Sequence, residues 1–330
     1  MSQRTARHAS ALVLLAALAT GGCGGDDGTA APTPGESSGS TALAPVLDQD
    51  FPDPDVLLVD GTYYAYATQP GDGSVNVQLA TSTDLKHWEV QVQDPLPELP
   101  DWATNKHTWA PDVTAGPDGY LMYVTARSVV PALQCIGVAR STSPAGPFRP
   151  VGDEPLICPR DEGGAIDAAS YVEPDGKRYL LWKNDGNCCG KDTWLSLQPL
   201  STDGLKVMGP PVRLIKQDLP WEGNLVEAPT LVRHGSSYVL FYSANDYGGD
   251  SYTTGYATAS KLEGPYRKAD EPLLTTAATG ITGPGGQDIV TDEAGKTHIV
   301  VHVRDPAVIY RAMYVTDLTW DGDTPVPALP

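Results

Sequence analysis

The feature of this 330-residue sequence that most constrains its fold is an internal repeat. Five segments share one pattern, in which a short opening motif leads into a β-branched and apolar run, a turn and a second run of alternating character. The openings lie 57, 57, 60 and 59 residues apart, at Asp53, Ala110, Asp167, Glu227 and Gly286. The register is fixed only to about one residue in some units. Five units of nearly one length predict a single repeated architecture rather than two separate domains.

Each unit carries the signals of short antiparallel strands. The two runs are joined by Asp-Gly in the first three units, by His-Gly in the fourth and by Ala-Gly in the fifth, as is typical of hairpins. A second pair of strands follows, in the first unit from Val75 to Thr81 and from His87 to Val90. The repeated units show no helical periodicity. We therefore expect an all-β fold, a five-bladed β-propeller with four antiparallel strands per blade.

Composition agrees with a turn-rich chain and limits its partners. The sequence has 34 Gly and 30 Pro, which are high counts for a helical protein. It has 22 Lys plus Arg against 41 Asp plus Glu, for a net charge of -19. Such a charge opposes binding to nucleic acid or anionic lipid, so we expect no nucleic-acid partner.

The N-terminus has the pattern of an export signal. Arg4 and Arg7 precede an apolar run, and small residues stand directly before Cys23. The pattern predicts a signal peptide over residues 1–22 and resembles a bacterial lipoprotein signal, in which Cys23 is the lipidated first residue. Simple secretion is the alternative. Either reading predicts an exported protein, extracellular or attached to the membrane only through the lipidated cysteine.

The remaining boundaries follow from composition. Residues 23–44 are rich in Gly, Ser, Thr, Pro and Ala without an apolar period, which predicts a lipidated cysteine followed by a flexible linker. Residues 45–330 then form the propeller domain. No segment approaches the roughly 20 apolar residues that span a bilayer.

Four cysteines lie within the repeats: Cys135, Cys158, Cys188 and Cys189. An even number in an exported chain predicts two disulfides, and four cysteines allow three connectivities. Zinc is the alternative, but no second close cysteine pair or adjacent histidine supports it. We expect the Cys188 and Cys189 pair to brace a loop.

Three of the repeat openings carry carboxylates. Asp53, Asp167 and Glu227 fall at the start of innermost strands, where radial symmetry directs side chains toward a common axis. Carboxylates that converge and are desolvated raise the pKa of at least one of them, which marks a functional site. The alternatives are a turn cap for Asp53, a structural hydrogen bond for Asp167 and a surface strand end for Glu227. Asp55 and Asp112 follow their openings by two positions, and we expect structural hydrogen bonds there.

Four segments in this order carry a resemblance to a known family: Phe51-Pro52-Asp53-Pro54, Trp109-Ala110-Pro111-Asp112, Gly164-Ala165-Ile166-Asp167 and Val226-Glu227-Ala228-Pro229. Over about residues 46 to 325 the chain resembles glycoside hydrolase family 43, the inverting five-bladed propellers. The resemblance implies that Asp53 is the general base, that Glu227 is the general acid, and that Asp167 tunes and orients the acid.

The fifth opening departs from the family. The family often has a histidine there, near a central ion or water cluster, whereas this chain has Gly283-Pro284-Gly285-Gly286-Gln287. We therefore assign no certain cofactor and no metal-ligating residues, and a structural calcium in the central cavity stays an open expectation.

Several residues near the openings are candidates for substrate binding. Sugar rings stack on indoles, so Trp109 and Trp221 are expected to form subsite walls, with packing between blades as the alternative. Phe51 would line the sugar pocket or be buried under the first blade. Gln287 and His302 lie in the inner strands of the fifth blade and are expected to contact a ligand or the shell of an ion.

The resemblance implies arabinanase, arabinofuranosidase or xylosidase activity, and the arabinan side is favoured. We expect a monomeric enzyme that acts on arabinose-containing plant polysaccharide or oligosaccharides. A sugar-binding propeller without catalysis is the alternative from a different class, and a β-xylosidase is the alternative within the enzymes.

Overall fold

The computed structural model describes residues 43–304, 307 and 310–329. They form five four-stranded antiparallel sheets arranged as five blades, which confirms the predicted all-β propeller. The predicted signal peptide, Cys23 and all but the last two residues of the predicted linker lie outside the described residues. Within the described part of the chain, no helix is both long and apolar enough to cross a membrane.

Each blade uses four consecutive strands. Blade 1 contains β1 (Asp55–Val59), β2 (Thr62–Thr68), β3 (Val77–Ser82) and β4 (Glu89–Val90). Blade 2 contains β5 (Ala103–Gly116), β6 (Gly119–Ser128), β7 (Gln134–Ser141) and β8 (Arg149–Val151). Blade 3 contains β9 (Ala165–Val172), β10 (Arg178–Asn184), β11 (Trp194–Pro199) and β12 (Val212–Lys216). Blade 4 contains β13 (Val226–His234), β14 (Ser237–Ala244), β15 (Thr253–Ala259) and β16 (Arg267–Lys268). Blade 5 contains β17 (Gly285–Thr291), β18 (Thr297–Arg304), β19 (Arg311–Asp321) and β20 (Thr324–Pro327).

Helical structure among the described residues is confined to four short pieces. They are three 3₁₀ turns and one α-helical turn: Arg160–Glu162, Gly186–Cys189, Pro220–Glu222 and α1 (Thr276–Thr279). All of them lie in connections between strands.

The hairpin at the start of blade 1 shows how local sequence sets the strands. β1 and β2 pair from Asp55 with Tyr66 to Val59 with Thr62. The two residues between them, Asp60 and Gly61, have φ of 48° and 76°. A two-residue hairpin turn of type I′ needs positive φ at both positions, and Asp-Gly tolerates this geometry well.

The hydrophobic core is divided among the contacts between neighbouring blades. One buried cluster contains Tyr66 and Leu79 of blade 1 together with Met122 of blade 2. Similar clusters lie at the other four contacts, and the one between blades 5 and 1 includes Val300 and Val56. Because both faces of each sheet are covered, the inner strands hold their axial ends in fixed positions.

The ring closes where the segment before β1 runs beside β19. The amide of Val46 donates to the carbonyl of Met313 at 2.9 Å, and the amide of Phe51 donates to the carbonyl of Arg311 at 2.8 Å. The Phe51 ring is fully buried in the cluster between blades 5 and 1. It therefore does not line a sugar pocket, and this prediction is corrected: the chain direction at the closure turns the ring into the core.

A left-handed residue marks the opening of each blade. Positive φ occurs at the five openings, with 54° at Asp53, 41° at Ala110, 55° at Asp167, 48° at Ala228 and 56° at Gly286. In blades 2 to 5 the pairing of the two inner strands shifts register at this place, as in a β-bulge.

The bulge corrects one alignment made from the sequence. The fourth left-handed residue is Ala228, so Glu227 precedes it by one position, whereas Asp53 and Asp167 occupy the left-handed position itself. The three carboxylates therefore do not share one blade position. Asp53 and Asp167 are equivalent, and Glu227 reaches the axis from the preceding residue.

The four described cysteines form two disulfides. Cys135 is bonded to Cys158, and Cys188 is bonded to its neighbour Cys189. These bonds settle the connectivity among the three that the sequence left open.

Candidate active site

One cavity of about 870 Å³ lies at the axis of the propeller, and all five blades contribute to its wall. The carboxylates of Asp53, Asp167 and Glu227 line it together with Trp109 and Gln287. Because every inner strand begins at the axis, residues 174 positions apart in sequence, from 53 to 227, meet in one cavity.

Two side chains hold the Asp53 carboxylate, and a third lies beside it. Thr68 Oγ1 donates to Oδ2 at 2.6 Å, and Arg311 Nη1 lies 3.2 Å from Oδ1. His302 Nδ1 also lies 3.2 Å from Oδ1. Burial alone would raise the pKa of Asp53, but the Arg311 charge and the hydrogen bond from Thr68 hold it well below its usual value. Asp53 is therefore a fixed carboxylate anion.

His302 supports Asp53 as a neutral ring. Its Nδ1 accepts the backbone N–H of Asp53 at 3.1 Å, so Nε2 carries the hydrogen. Burial and the nearby Arg311 charge lower the pKa of His302, which keeps the imidazole uncharged. The ring stacks on Tyr252 with 5.6 Å between centroids and 9° between planes. The imidazole therefore orients Asp53 through its backbone N–H.

Asp167 and Glu227 behave differently from Asp53. Burial and the neighbouring Glu227 charge raise the pKa of Asp167 to about 8. Burial also raises the pKa of Glu227, although Lys183 and Tyr252 oppose this rise. The two carboxyl groups titrate as a pair, and the pair retains a proton near neutral pH.

Individual contacts hold this pair in place. Asp167 Oδ2 accepts the Ala228 N–H at 2.9 Å. Glu227 Oε1 accepts the Tyr252 hydroxyl at 2.9 Å, and its Oε2 lies 3.5 Å from the Lys183 ammonium. Glu227 thus has a hydrogen-bond donor on one oxygen and a cation beside the other.

A second ring of side chains surrounds the five openings. These side chains occupy equivalent positions near the ends of the second strands, at Thr68, Thr125, Lys183, Ser243 and His302, which are 57, 58, 60 and 59 residues apart. Four of them accept the backbone N–H of the next blade's left-handed residue: Ala110 to Thr68, Asp167 to Thr125, Gly286 to Ser243 and Asp53 to His302. Lys183 cannot accept a hydrogen bond, and the corresponding Ala228 amide binds Asp167 instead.

Sequence analysis missed Thr68, Lys183, Tyr252 and Arg311 as site residues. For Thr68 and Lys183 a signal was available, because both recur with the repeat and Lys183 interrupts an apolar strand. Tyr252 and Arg311 lie outside the repeated motif, and only the fold brings them to Glu227 and Asp53.

Only some of the predicted sugar-binding residues line the cavity. Trp109 lines the cavity and is half-buried, and Gln287 lines it with its side chain bonded to the carbonyl of Ala228 at 2.5 Å. His302 is buried behind Asp53 and does not line the cavity. Trp221 packs on Tyr242 at 5.9 Å and likewise lies outside the lining. The Trp221 prediction is corrected to packing, because its ring turns into the core of blade 4.

A structural calcium in the central cavity stays a prediction. No group of three or more His, Cys, Asp or Glu side chains among the described residues is arranged to hold a metal. Where the family often has a histidine, this chain has Gly286, and a β-carbon there would lie 2.3 Å from His302 Nδ1. The His302 ring fills this space and uses Nδ1 as an acceptor for Asp53. We therefore derive no step through a metal ion.

Fold and site together define a class of protein, the five-bladed propellers that carry three carboxylates in an axial cavity and cleave glycosidic bonds. The sequence pattern of Glycosyl hydrolases family 43 matches residues 42–325, and the chain belongs to this family. The resemblance seen in the four short segments is thereby confirmed.

Individual relatives are named for different activities. An extracellular exo-α-(1→5)-L-arabinofuranosidase of Streptomyces avermitilis is 25% identical over 292 residues, 83% of this chain and 59% of that protein. The match thus covers less than two thirds of that relative. A thermostable family-43 glycoside hydrolase has a TM-score of 0.77 at 26% identity, covering 88% of this chain and 96% of that one. An endo-1,4-β-xylanase from Bacteroides thetaiotaomicron has a TM-score of 0.72 at 25% identity, covering 88% and 97%.

Proposed function

We propose that this protein is an inverting glycoside hydrolase that cleaves arabinose-containing plant polysaccharides or oligosaccharides. One observation carries the proposal: carboxyl groups in the same cavity have pKa values shifted in opposite directions. Asp53 is held as an anion, whereas the Asp167 and Glu227 pair keeps a proton. Groups whose environments separate their pKa values in this way are suited to the roles of base and acid.

In the proposed reaction Asp53 accepts a proton from a water molecule as that water attacks the anomeric carbon. Glu227 donates its proton to the glycosidic oxygen, the bond to the leaving sugar breaks, and the Glu227 carboxylate is left behind. In the reactive state the shared proton is on Glu227, and the Asp167 carboxylate then disfavours ionisation of Glu227 before the step. A single displacement forms no covalent intermediate, so the product has the inverted anomeric configuration.

The choice of sugar rests on the relatives. The Streptomyces relative is named for arabinofuranose release, which favours arabinan or its oligosaccharides. The Bacteroides xylanase, similar over most of both chains, makes a xylose-containing substrate the second candidate. Trp109 at the cavity wall can stack on the apolar face of either sugar.

The decisive experiment incubates the protein with linear arabinan, an aryl α-L-arabinofuranoside and an aryl β-xyloside. Products are resolved by size, and the anomer first released is read by proton NMR before mutarotation. We expect hydrolysis of the arabinosides with inversion. Cleavage of the xyloside alone would replace arabinose with xylose as the substrate sugar. If the wild type binds these substrates as Asp53→Asn does and hydrolyses none of the three, the non-catalytic propeller would be favoured.

We further propose that the protein is exported as a monomer and anchored by lipid on Cys23. The extracellular relative and the Arg4, Arg7 and Cys23 pattern support this proposal. Metabolic labelling with a fatty acid should mark the wild type and not Cys23→Ala. Secretion of unlabelled wild type would support the simple signal peptide instead.

A further inference from the structure

Lys183 is a fully buried cation beside the proposed acid. Its side chain has no exposed surface, although a buried ammonium group requires compensating partners. Nζ donates to Asn187 Oδ1 at 2.7 Å and lies 3.5 Å from Glu227 Oε2 and 3.6 Å from Asp185 Oδ1. Asn187 therefore provides the close hydrogen bond, and Asp185 and the ionised form of Glu227 provide the opposite charge.

The position of Lys183 in the ring of second-strand residues makes it exceptional. Its four equivalents are Thr, Thr, Ser and His, and each accepts an amide from the next blade. A lysine gives up this contact between blades and places a charge at the cavity instead. Its electrostatic effect at Glu227 is therefore a better explanation for its presence than blade packing.

The residues that hold Lys183 form a turn closed by a disulfide. Asp185 and Asn187 flank the start of the 3₁₀ turn Gly186–Cys189, which follows β10 directly. The two cysteines of the turn are adjacent, exposed and bonded to each other. A bridge between neighbouring residues restricts the backbone immediately after Asn187.

We propose that Lys183 is a positioning residue that orients Glu227 and balances its charge, and that the Cys188–Cys189 disulfide holds the turn through which Asn187 fixes Lys183. The inference rests on the acid role proposed for Glu227. When Glu227 gives its proton to the leaving oxygen, the Lys183 ammonium stabilises the carboxylate that remains. Before that step, the same charge limits how firmly Glu227 holds its proton.

Glu227 faces charged and titratable groups from several elements. They are Lys183 on β10, Asp167 on β9, Asp53 before β1 and Tyr252 before β15. Of these, Lys183 is the cation, so its removal has an effect opposite in sign to removal of either aspartate.

The test compares pH profiles of kcat/KM for Lys183→Met, Asn187→Ala and the double variant Cys188→Ser/Cys189→Ser. For Lys183→Met we expect the alkaline limb to move up by about one pH unit or more, because an opposite charge within about 4–6 Å shifts a pKa by 1–3 units. Turnover of a substrate with a poor leaving group should fall by about tenfold or more, and that of an activated aryl glycoside by less.

Asn187 is exposed, so Asn187→Ala should fold. This variant keeps the test valid if Lys183→Met does not fold. It and the double serine variant should shift the limb in the same direction by a smaller amount. The control is Asn224→Ala, an exposed residue of the same cavity wall, which should leave the limb in place. A phosphine reductant should reproduce the shift in the wild type and add nothing in the double serine variant, which lacks the Cys188–Cys189 bond and keeps the Cys135–Cys158 bond as an internal control.

An unshifted alkaline limb in both Lys183→Met and Asn187→Ala would overturn the role of Lys183. A double serine variant identical to the wild type would overturn the role of the disulfide. A carbon-13 NMR titration of the Glu227 carboxyl, assigned with Glu227→Gln, gives the same comparison without turnover. The positioning inference is thus tested even if no glycoside is hydrolysed and the proposed function fails.

Discussion

Replacement of Gly286 by alanine is a sharp test of how the proposed base is held. The residue has φ of +56°, and an added β-carbon would lie 2.3 Å from His302 Nδ1, 2.4 Å from Cε1 and 3.1 Å from Asp53 Oδ1. His302 is buried and cannot move away without disturbing Asp53. The substitution therefore combines backbone strain with a clash at the site.

The chain offers a matched control for the strain. Gly235, in the turn between β13 and β14, has φ of +57°, and a β-carbon there would meet no heavy atom within 4 Å beyond its chain neighbours. A left-handed alanine costs about 1–2 kcal/mol at either position. Overpacking at Gly286 adds about 1–3 kcal/mol. We expect Gly286→Ala to lose about 2–5 kcal/mol of unfolding free energy and Gly235→Ala only about 1–2 kcal/mol.

The assay is urea unfolding of both variants, together with kcat/KM on an activated aryl arabinofuranoside well below the transition. A shift of about 1 Å at the base lowers activity by about 10²-fold, so Gly286→Ala should lose activity while Gly235→Ala keeps it. If the two variants unfold within about 0.5 kcal/mol of each other and have equal kcat/KM, the tight support of Asp53 by His302 is refuted.

Three further outcomes follow from the cavity. Glu227→Gln should lower cleavage of a natural substrate by about 10²-fold or more. Cleavage of a substrate with an acidic phenol as leaving group should fall much less, because this leaving group needs little protonation. Equal losses for both substrates in steady-state kinetics would remove the acid role. Asp53→Asn should abolish turnover of both substrates, and near-native rates on the activated one would return Asp53 to a turn cap. Burial raises the pKa of Asp112 to about 7, compared with 3.8 in the unfolded chain. Asp112 therefore adds stability that is complete below about pH 3.8 and is lost as the pH rises through about 7. Asp112→Asn keeps the acceptor for the Ser170 N–H. The variant should remove up to about 4 kcal/mol of the decline in unfolding free energy between pH 4 and 8. Parallel curves for the wild type and the variant would contradict this assignment.

The repeat made the fold predictable from the sequence, and its spacing predicted that Asp53, Asp167 and Glu227 lie near one axis. It did not reveal that Glu227 precedes its bulge by one residue, because a bulge inserts a residue without a sequence mark at that point. The expected structural roles of Asp55 and Asp112 agree with their bonds to the Val113 and Ser170 amides.

Side-chain direction limited the prediction of the sugar-binding residues. Phe51 and Trp221 lie close in sequence to the catalytic candidates, yet both rings turn into the core. Proximity along the chain places a backbone near the axis, whereas the local chain direction decides which side of a blade a ring occupies. Lys183 could have been found by aligning the second strands as well as the openings.

The five left-handed openings explain why the site depends on the contacts between blades. A non-glycine residue in this conformation costs about 1–3 kcal/mol and persists only where its surroundings fix it. At Asp53 the backbone N–H binds His302 of blade 5, and the carboxylate binds Thr68 of its own blade and Arg311 of blade 5. The orientation of the proposed base is therefore set across the closure between blades 5 and 1. Since Arg311 also accepts the Phe51 amide through its carbonyl, a change that loosens this closure should disturb Asp53 before it disturbs the Asp167 and Glu227 pair.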